Sequence, residues 1–391
     1  MAAILMSAGR AQSMSVTFLH TADWQLGKPF ASVRDEPKRN RLQHERLQSV
    51  RRMAAVAKET GADFMLVAGD VFDSSQATKA TVSAACAAVG ALGIPVYAIP
   101  GNHDHGGPGS IWEQEFFRRE KDELAPNFHV LLEPRPLVLD QAVILPAPLL
   151  RRHEATDPTA WIRSAADLSL PADRPWIVLA HGTVQGFGEA GVANRIDLAR
   201  LPEGISYVAL GDWHGTKQVG PRAWYSGTPE IDRFPRGDGN EPGHLLKVTL
   251  DGGGAPAVER ISSGMLGWKE MAFRFAEDAS VEVFSDALEE TAGARAEDRL
   301  LLLTLEGSLG IAAAARLEEI LESYESRLLR LKLDHRVQVA PSDEEIAALT
   351  RRDADPLIAT VAAALVARID GESDDAAIAR LALRELHAVI S

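Results

Sequence analysis

PVYAIPGNHD, residues 95–104, joins a short apolar run to Gly101 and then to three side chains rich in donors and acceptors, Asn102, His103 and Asp104. The run predicts a buried strand with the polar cluster at its carboxyl end. The same pattern recurs on either side. VTFLH (16–20) runs into TADWQLG (21–27), FMLVAGD (64–70) into VFD, WIVLAHG (176–182) into TVQGFG, and YVALGDWHG (207–215) is followed by WYSGTPE (224–230). Helical stretches lie between several of these runs, so the first two thirds of the chain read as βα alternation. In open α/β sheets the loops at the carboxyl ends of strands converge on one crevice. Those ends carry Asp23, Gln25, Asp70, Asn102, His103, His181, Asp212 and His214, with Gly69, Gly101, Gly182 and Gly211 leaving room for close backbone. Singly, each is explained as a turn former, a cap or a hydrogen-bonded histidine. Five successive strand ends bearing oxygen or imidazole donors are not.

In that order after ADWQLG, the segments GDVFD, GNHD, AHG and GDWHG resemble the motifs of the calcineurin-like metallophosphoesterases. LHTADWQLGK (19–28) and WYSGTPEIDRF (224–234) resemble segments of the SbcD-type DNA repair exonucleases within that family. The likeness covers roughly residues 16–235 and implies an α/β fold, a four-layer αββα sandwich, followed by a small C-terminal α+β cap and terminal helices. It also implies two divalent ions: Asp23, Gln25, Asp70 and His214 around one, and Asp70, Asn102, His181 and Asp212 around the other, with Asp70 bridging. Such a pair lowers the pKa of a water and stabilises the charge that develops on a phosphodiester under in-line attack. By the same resemblance His103 supports the leaving oxygen, while Asp73 and Asp104 orient hydrogen bonds around it.

Two positions depart from the family pattern, which has histidine where this chain has Gln25 and Asp212. Both replacements keep an oxygen that can ligate, and exchanging imidazoles for harder donors shifts preference toward Mn²⁺, with Mg²⁺ next, and away from Zn²⁺. The competing reading is a catalytically silent site. Two fresh oxygen donors and the retained His103 speak against it.

The net charge of −14 argues against a chain that grips nucleic acid unaided. Residues 1–270 carry only −3 of it and residues 271–391 carry −11, while residues 31–60 carry +4. KRNRLQHERLQSVRRM (38–53) sets Arg39, Arg46, Arg51 and Arg52 on an expected helix, which is either a solvated face or a contact for the DNA backbone. The resemblance implies a metal-dependent exonuclease and endonuclease acting on DNA ends in double-strand break repair. Its implied partners are DNA, an SMC-like coiled-coil ATPase docked on the C-terminal helices, and a second copy of the chain at the helices around 76–92 and 108–124. The alternatives are a phosphodiesterase or phosphatase for small molecules, and a non-catalytic scaffold binding DNA ends.

Residues 1–14 read as a disordered tail, with Met14 an alternative start, and residues 15–265 as the catalytic domain. HLLKVTL and AVERISS (244–250 and 257–263) are expected to close its second sheet. Residues 266–342 read as the cap and 343–391 as helices that could dock a partner. Helical spacing sets Leu357, Val361, Leu365 and Ile369 on one face, and Ala379, Leu383, Leu386 and Ile390 on another. With 46% hydrophobic and 25% charged residues the chain is not disordered. No apolar run approaches the ~18 residues of a membrane helix. One cysteine, Cys86, excludes a disulfide framework, and a cytoplasmic location is expected. His20, His44, His105, His129 and His153 read as structural or surface groups.

Overall fold

The computed structural model describes residues 15–167, 169–185, 193–234, 240–252, 254–351, 355–369 and 373–390. The expected tail at 1–14 lies outside the described residues. The chain divides into two compact units, Met1–Leu266 and Gly267–Ser391.

In the first unit the elements run β1 (Ser15–Thr21), α1 (Glu36–Thr60), β2 (Phe64–Ala68), α2 (Lys79–Gly90), β3 (Val96–Ile99), α3 (Glu115–Leu124), β4 (Phe128–Val130), β5 (Leu137–Val138), β6 (Val143–Ala147), β7 (Trp176–His181), β8 (Thr183–Val184), β9 (Arg195–Ile196), β10 (Ile205–Gly211), β11 (Lys217–Gly220), β12 (Ala223–Tyr225), β13 (His244–Asp251) and β14 (Ala257–Ser262). Two six-stranded sheets result, ordered β14-β13-β1-β2-β3-β4 and β11-β12-β10-β7-β6-β5. Strands β1 to β4 pair in parallel, as do β6, β7, β10 and β12. Their carboxyl ends therefore gather the motif loops.

Alternation along each strand builds the layers. Phe18, Leu66 and Leu246 of the first sheet meet Ile144, Ile177, Leu179 and Tyr207 of the second in the core between them. The opposite residues, Leu19, Met65, Val67 and Ala98, pack beneath Val50 and Met53 of α1, Val82 and Cys86 of α2, and Phe117 of α3. Cys86 is thus a core residue, and burial pushes its thiol up to about 11. Helix α1 starts where Asp35 accepts from Lys38 N at 2.9 Å, with Pro37 in its first turn, and stops at Gly61 in the left-handed conformation. On the second sheet's outer face Ile162, from the 3₁₀ helix Ala160–Asp167, packs on Val143, Val178 and Leu210. This is the calcineurin-like sandwich, with a lighter covering on that side.

The hairpin β13–β14 joins the first sheet and not the second as expected. β13 pairs antiparallel with β1, Phe18 opposite Val248. With β2 on one side of β1, the other edge would be bare, and β13 supplies both its hydrogen bonds and a matching apolar alternation.

The second unit contains β15 (Gly267–Phe275), α4 (Ser280–Ala292), β16 (Arg299–Leu309), α5 (Ile311–Arg327), β17 (Arg330–Val339), α6 (Asp343–Thr350), α7 (Pro356–Val366) and α8 (Asp374–Ile390). Its three strands form a parallel sheet, with α4 and α5 as the crossovers. The terminal helices share a core with α5: Ala362 and Leu383 pack with Ile311 and Leu349, and Leu365, Ile369 and Leu386 lie against them. Ala379 is buried as its spacing predicts. On α7, however, the buried stripe runs through Ala362, leaving Leu357 73% and Val361 43% exposed. No helix among the described residues is long and apolar enough to cross a membrane.

Candidate metal centre

The loops after β1, β2, β3, β7 and β10 meet at one point. Asp23, Asp70 and His181 are buried there, with ligand atoms all within 4.8 Å of one another. Asn102 and Asp212 stand at the half-buried edge: Asn102 Oδ1 lies 2.9 Å and Asp212 Oδ1 3.9 Å from His181 Nε2. His181 Nδ1 donates to Ala68 O at 2.7 Å, which leaves Nε2 facing the carboxylates.

Backbone strain marks the cluster. Asp23, Gln25, Asp70 and Asp212 all have positive φ, at 55°, 42°, 56° and 105°, a region that non-glycine residues seldom occupy. Close approach explains two of the glycines. A Cβ on Gly101 would stand 2.1 Å from Asp70 Oδ1, and one on Gly211 would stand 1.9 Å from Ala68 O and 2.8 Å from His181 Nδ1.

A network ties the turns together. Asp104 accepts from Gly101 N at 2.7 Å and from Phe72 N at 3.0 Å, and its main-chain oxygen takes a hydrogen bond from Trp112. His103 N donates to Asp70 Oδ1 at 2.9 Å, while the half-exposed ring donates from Nδ1 to Asp73 O at 2.8 Å. Asp73 therefore positions His103 through its carbonyl. Its carboxylate stands 4.0 Å from the same ring nitrogen. Asp212 Oδ2 accepts from Thr183 Oγ1 at 2.9 Å.

The electrostatics fit a cation. Burial raises the Asp23 carboxyl, only partly offset by His214 and His181, because Asp70 and Asp212 crowd it. At His181 burial lowers the pKa, yet Asp70, Asp23 and Asp212 reverse this and push it up to about 9. Burial and Asp70 raise Asp104 to about 7. Asp23, Asp70 and His181 could hold a divalent ion, which would stabilise carboxylates this close, and Asn102 and Asp212 at the edge would add oxygen donors.

The other expected ligand set differs. Gln25 Oε1 accepts from Lys28 Nζ at 2.7 Å, and its amide nitrogen faces Asp70 Oδ2 at 3.3 Å and His214 Nε2 at 3.4 Å. Gln25 is therefore brought to the centre but does not offer it an oxygen. Lys28 also donates to Asp232 Oδ2 at 2.8 Å, and His214 Nδ1 is 3.0 Å from Asp232 Oδ1. Against the upward push of burial, His214, Arg46 and Lys28 hold the Asp232 carboxyl well below the usual range. Sequence reasoning passes over Lys28 and Asp232. Their signal is nonetheless there, since Lys28 ends LHTADWQLGK and Asp232 lies within WYSGTPEIDRF.

Of the four arginines of α1 expected as DNA contacts, Arg46 needs correction. Arg46 is 2% exposed. Its Nε donates to Trp24 O at 2.8 Å, Nη2 to Asp23 O at 2.8 Å and Thr228 Oγ1 at 3.1 Å, and Nη1 to Glu230 O at 3.2 Å. It is an internal clamp on the loop carrying Asp23. Arg52, half-buried, bonds Glu45, Ser263 O and the buried Glu230. Arg39 is half-buried and reaches Val33 O at 3.1 Å, leaving Arg51 as the exposed member of the four.

Residues 16–216 match the Calcineurin-like phosphoesterase family, and the chain belongs to it. Over 258 residues, 60% of this chain and 58% of the relative, it is 26% identical to the uncharacterized metallophosphoesterase YhaO of Bacillus subtilis strain 168. The chain thus spans less than two thirds of that relative's length. Among solved structures it is similar to TT1561 of Thermus thermophilus, with a TM-score of 0.41 and 15% identity over 64% of this chain and 100% of that one. A dimetal phosphatase from Danio rerio gives a TM-score of 0.34 and 11% identity over 63% and 99%.

Proposed function

We propose that this chain is a metal-dependent phosphodiesterase that cleaves DNA at its ends, with Mn²⁺ the preferred ion and Mg²⁺ a substitute. The observation that carries the hydrolytic reading is the buried meeting of Asp23, Asp70 and His181 beside His103. A divalent ion held there would supply Lewis acidity and an activated water. The protein's own groups do the rest. Asn102 and Asp212 flank the open edge where a phosphodiester enters. His103, with Nδ1 fixed by Asp73 O, has Nε2 left for the departing oxygen, to which the imidazolium form of the ring would give its Nε2 proton.

The nuclease branch of the proposal is supported by LHTADWQLGK and WYSGTPEIDRF, two segments similar to DNA repair exonucleases. Its partners are DNA, a coiled-coil ATPase and a second copy of the chain across α2 and α3, and its setting is the cytoplasm. Support for the ATPase dock comes from the apolar residues left bare on the terminal helices, Leu357, Val361, Ile378 at 64% exposure and Leu381 at 50%.

A specific observation favours the small-molecule alternative. With Arg46 and Arg52 bonded inside the unit, the basic surface near the centre is smaller than the sequence suggests, so few phosphates would be neutralised. One comparison separates the two: end-labelled duplex DNA against bis(p-nitrophenyl) phosphate, each with and without Mn²⁺. Mn²⁺-dependent shortening of duplex from its ends supports the nuclease, and turnover of the small diester alone supports the alternative.

A further inference from the structure

The loop after β1 carries a lysine whose ammonium is turned toward the centre instead of solvent. Lys28 Nζ lies 2.7 Å from Gln25 Oε1 and 2.8 Å from Asp232 Oδ2, with Asp73 Oδ1 at 3.9 Å. An ammonium can only donate, so this contact fixes which end of the Gln25 amide is oxygen. The –NH₂ end must then face Asp70 and His214. Asp70 Oδ2 takes one hydrogen at 3.3 Å, and His214 Nε2 lies 3.4 Å away. With His214 Nδ1 held by Asp232 Oδ1 at 3.0 Å, Nε2 is the ring nitrogen left for a metal, and the Gln25 amide nitrogen already stands against it.

The two ligands that distinguish this second position, Gln25 and His214, are therefore already engaged. Gln25 presents hydrogens where a metal requires lone pairs, and those hydrogens stand in front of His214 Nε2. Turning the amide over would set two donors, Lys28 and the –NH₂, against each other at 2.7 Å, beside a Gln25 that is 2% exposed.

We propose that this chain retains a single divalent ion, at Asp23, Asp70, Asn102, His181 and Asp212, and that the linked side chains Lys28, Gln25, His214 and Asp232 close the second position. Lys28 is a positioning residue: its charge locks the amide and stands in for part of the charge of a second ion. The inference rests on the metal-dependent reading above and revises its expected ion count.

Metal-free full-length protein is loaded with excess Mn²⁺, freed of loose metal by gel filtration, and assayed for manganese by elemental analysis and by electron paramagnetic resonance. The wild type should retain one ion with the six-line signal of isolated Mn²⁺, and Asp70→Asn should retain none. The double variant Gln25→His/Lys28→Met, which restores an imidazole and removes the lock, should retain two ions with an exchange-coupled signal. A coupled signal or two ions in the wild type would overturn the proposal while leaving the hydrolase intact. A wild type retaining no manganese would overturn the metal-dependent reading and this inference with it. The wild-type spectrum decides the matter even if the double variant does not fold.

Discussion

The main-chain N–H of His103 donates to Asp70 Oδ1 at 2.9 Å, so the turn after β3 holds in place the central carboxylate of the turn after β2. Gly101, two residues earlier, is what lets the turns come that close. Replacing it with alanine would drive a methyl group into Asp70. Gly101→Ala should lower Mn²⁺ affinity by about 10- to 100-fold, the usual cost of disturbing a group that holds a ligand. Calorimetric titration of metal-free protein checks this, and unchanged affinity would mean that the turn yields without moving Asp70.

His103 Nδ1 is committed to Asp73 O at 2.8 Å, and in the proposed centre the ring acts beside the ligands and is not one of them. His103→Ala should keep its metal and lose about 10²- to 10⁴-fold in turnover of a small diester, the range for a positioned acid or base. Loss of manganese in the variant would instead make His103 a ligand.

Arg46 stabilises the unit from inside. Arg46→Ala would strand the buried carbonyls of Asp23, Trp24 and Glu230, at a cost of about 3 kcal/mol or more. Urea unfolding measures it. Arg51→Ala, on the exposed side of the same helix, should stay within about 0.5 kcal/mol of wild type. Equal effects in the two variants would contradict the internal role.

His20 gives the fold an acid sensitivity of its own. It is buried between the sheets with Nδ1 3.0 Å from Tyr207 Oη, and burial lowers its pKa from 6.5 to about 3. The folded chain keeps the ring neutral while the unfolded chain protonates it below pH 6.5. Its contribution is therefore whole above pH 6.5 and is lost as the pH falls toward 3. Between pH 7 and pH 5 the loss amounts to about 2 kcal/mol. In urea unfolding at those two pH values, His20→Gln should lose about that much less than wild type. Equal losses would place the acid sensitivity elsewhere.

Much of this architecture was legible in the sequence because strand ends write their chemistry locally. Each apolar run ended in a polar cluster, and the runs became β1, β2, β3, β7 and β10. What was not legible depends on contacts distant in sequence. Arg46 looks like any arginine on a helix face until Glu230 and Thr228, some 180 residues later, fold over it. Gln25 reads as a ligand from its place in the motif, and only Lys28 and Asp232 reveal which way its amide turns. The pairing of β13 with β1 was hidden for the same reason, since apolar alternation does not say which sheet has a free edge. Of the stripe drawn by spacing over 357–369, Leu365 and Ile369 reach the core, but in the turns before them Ala362 and not Val361 faces it.

Asp70 is proposed to organise a metal-dependent phosphodiesterase centre. The most direct measurement is hydrolysis of bis(p-nitrophenyl) phosphate by wild type and Asp70→Ala across a Mn²⁺ titration, with bound manganese determined on the same samples. Wild-type turnover should rise with Mn²⁺ and saturate as the metal binds, while Asp70→Ala should hold no manganese and stay at background at every concentration. Manganese retention and turnover in Asp70→Ala equal to those of wild type would contradict the account.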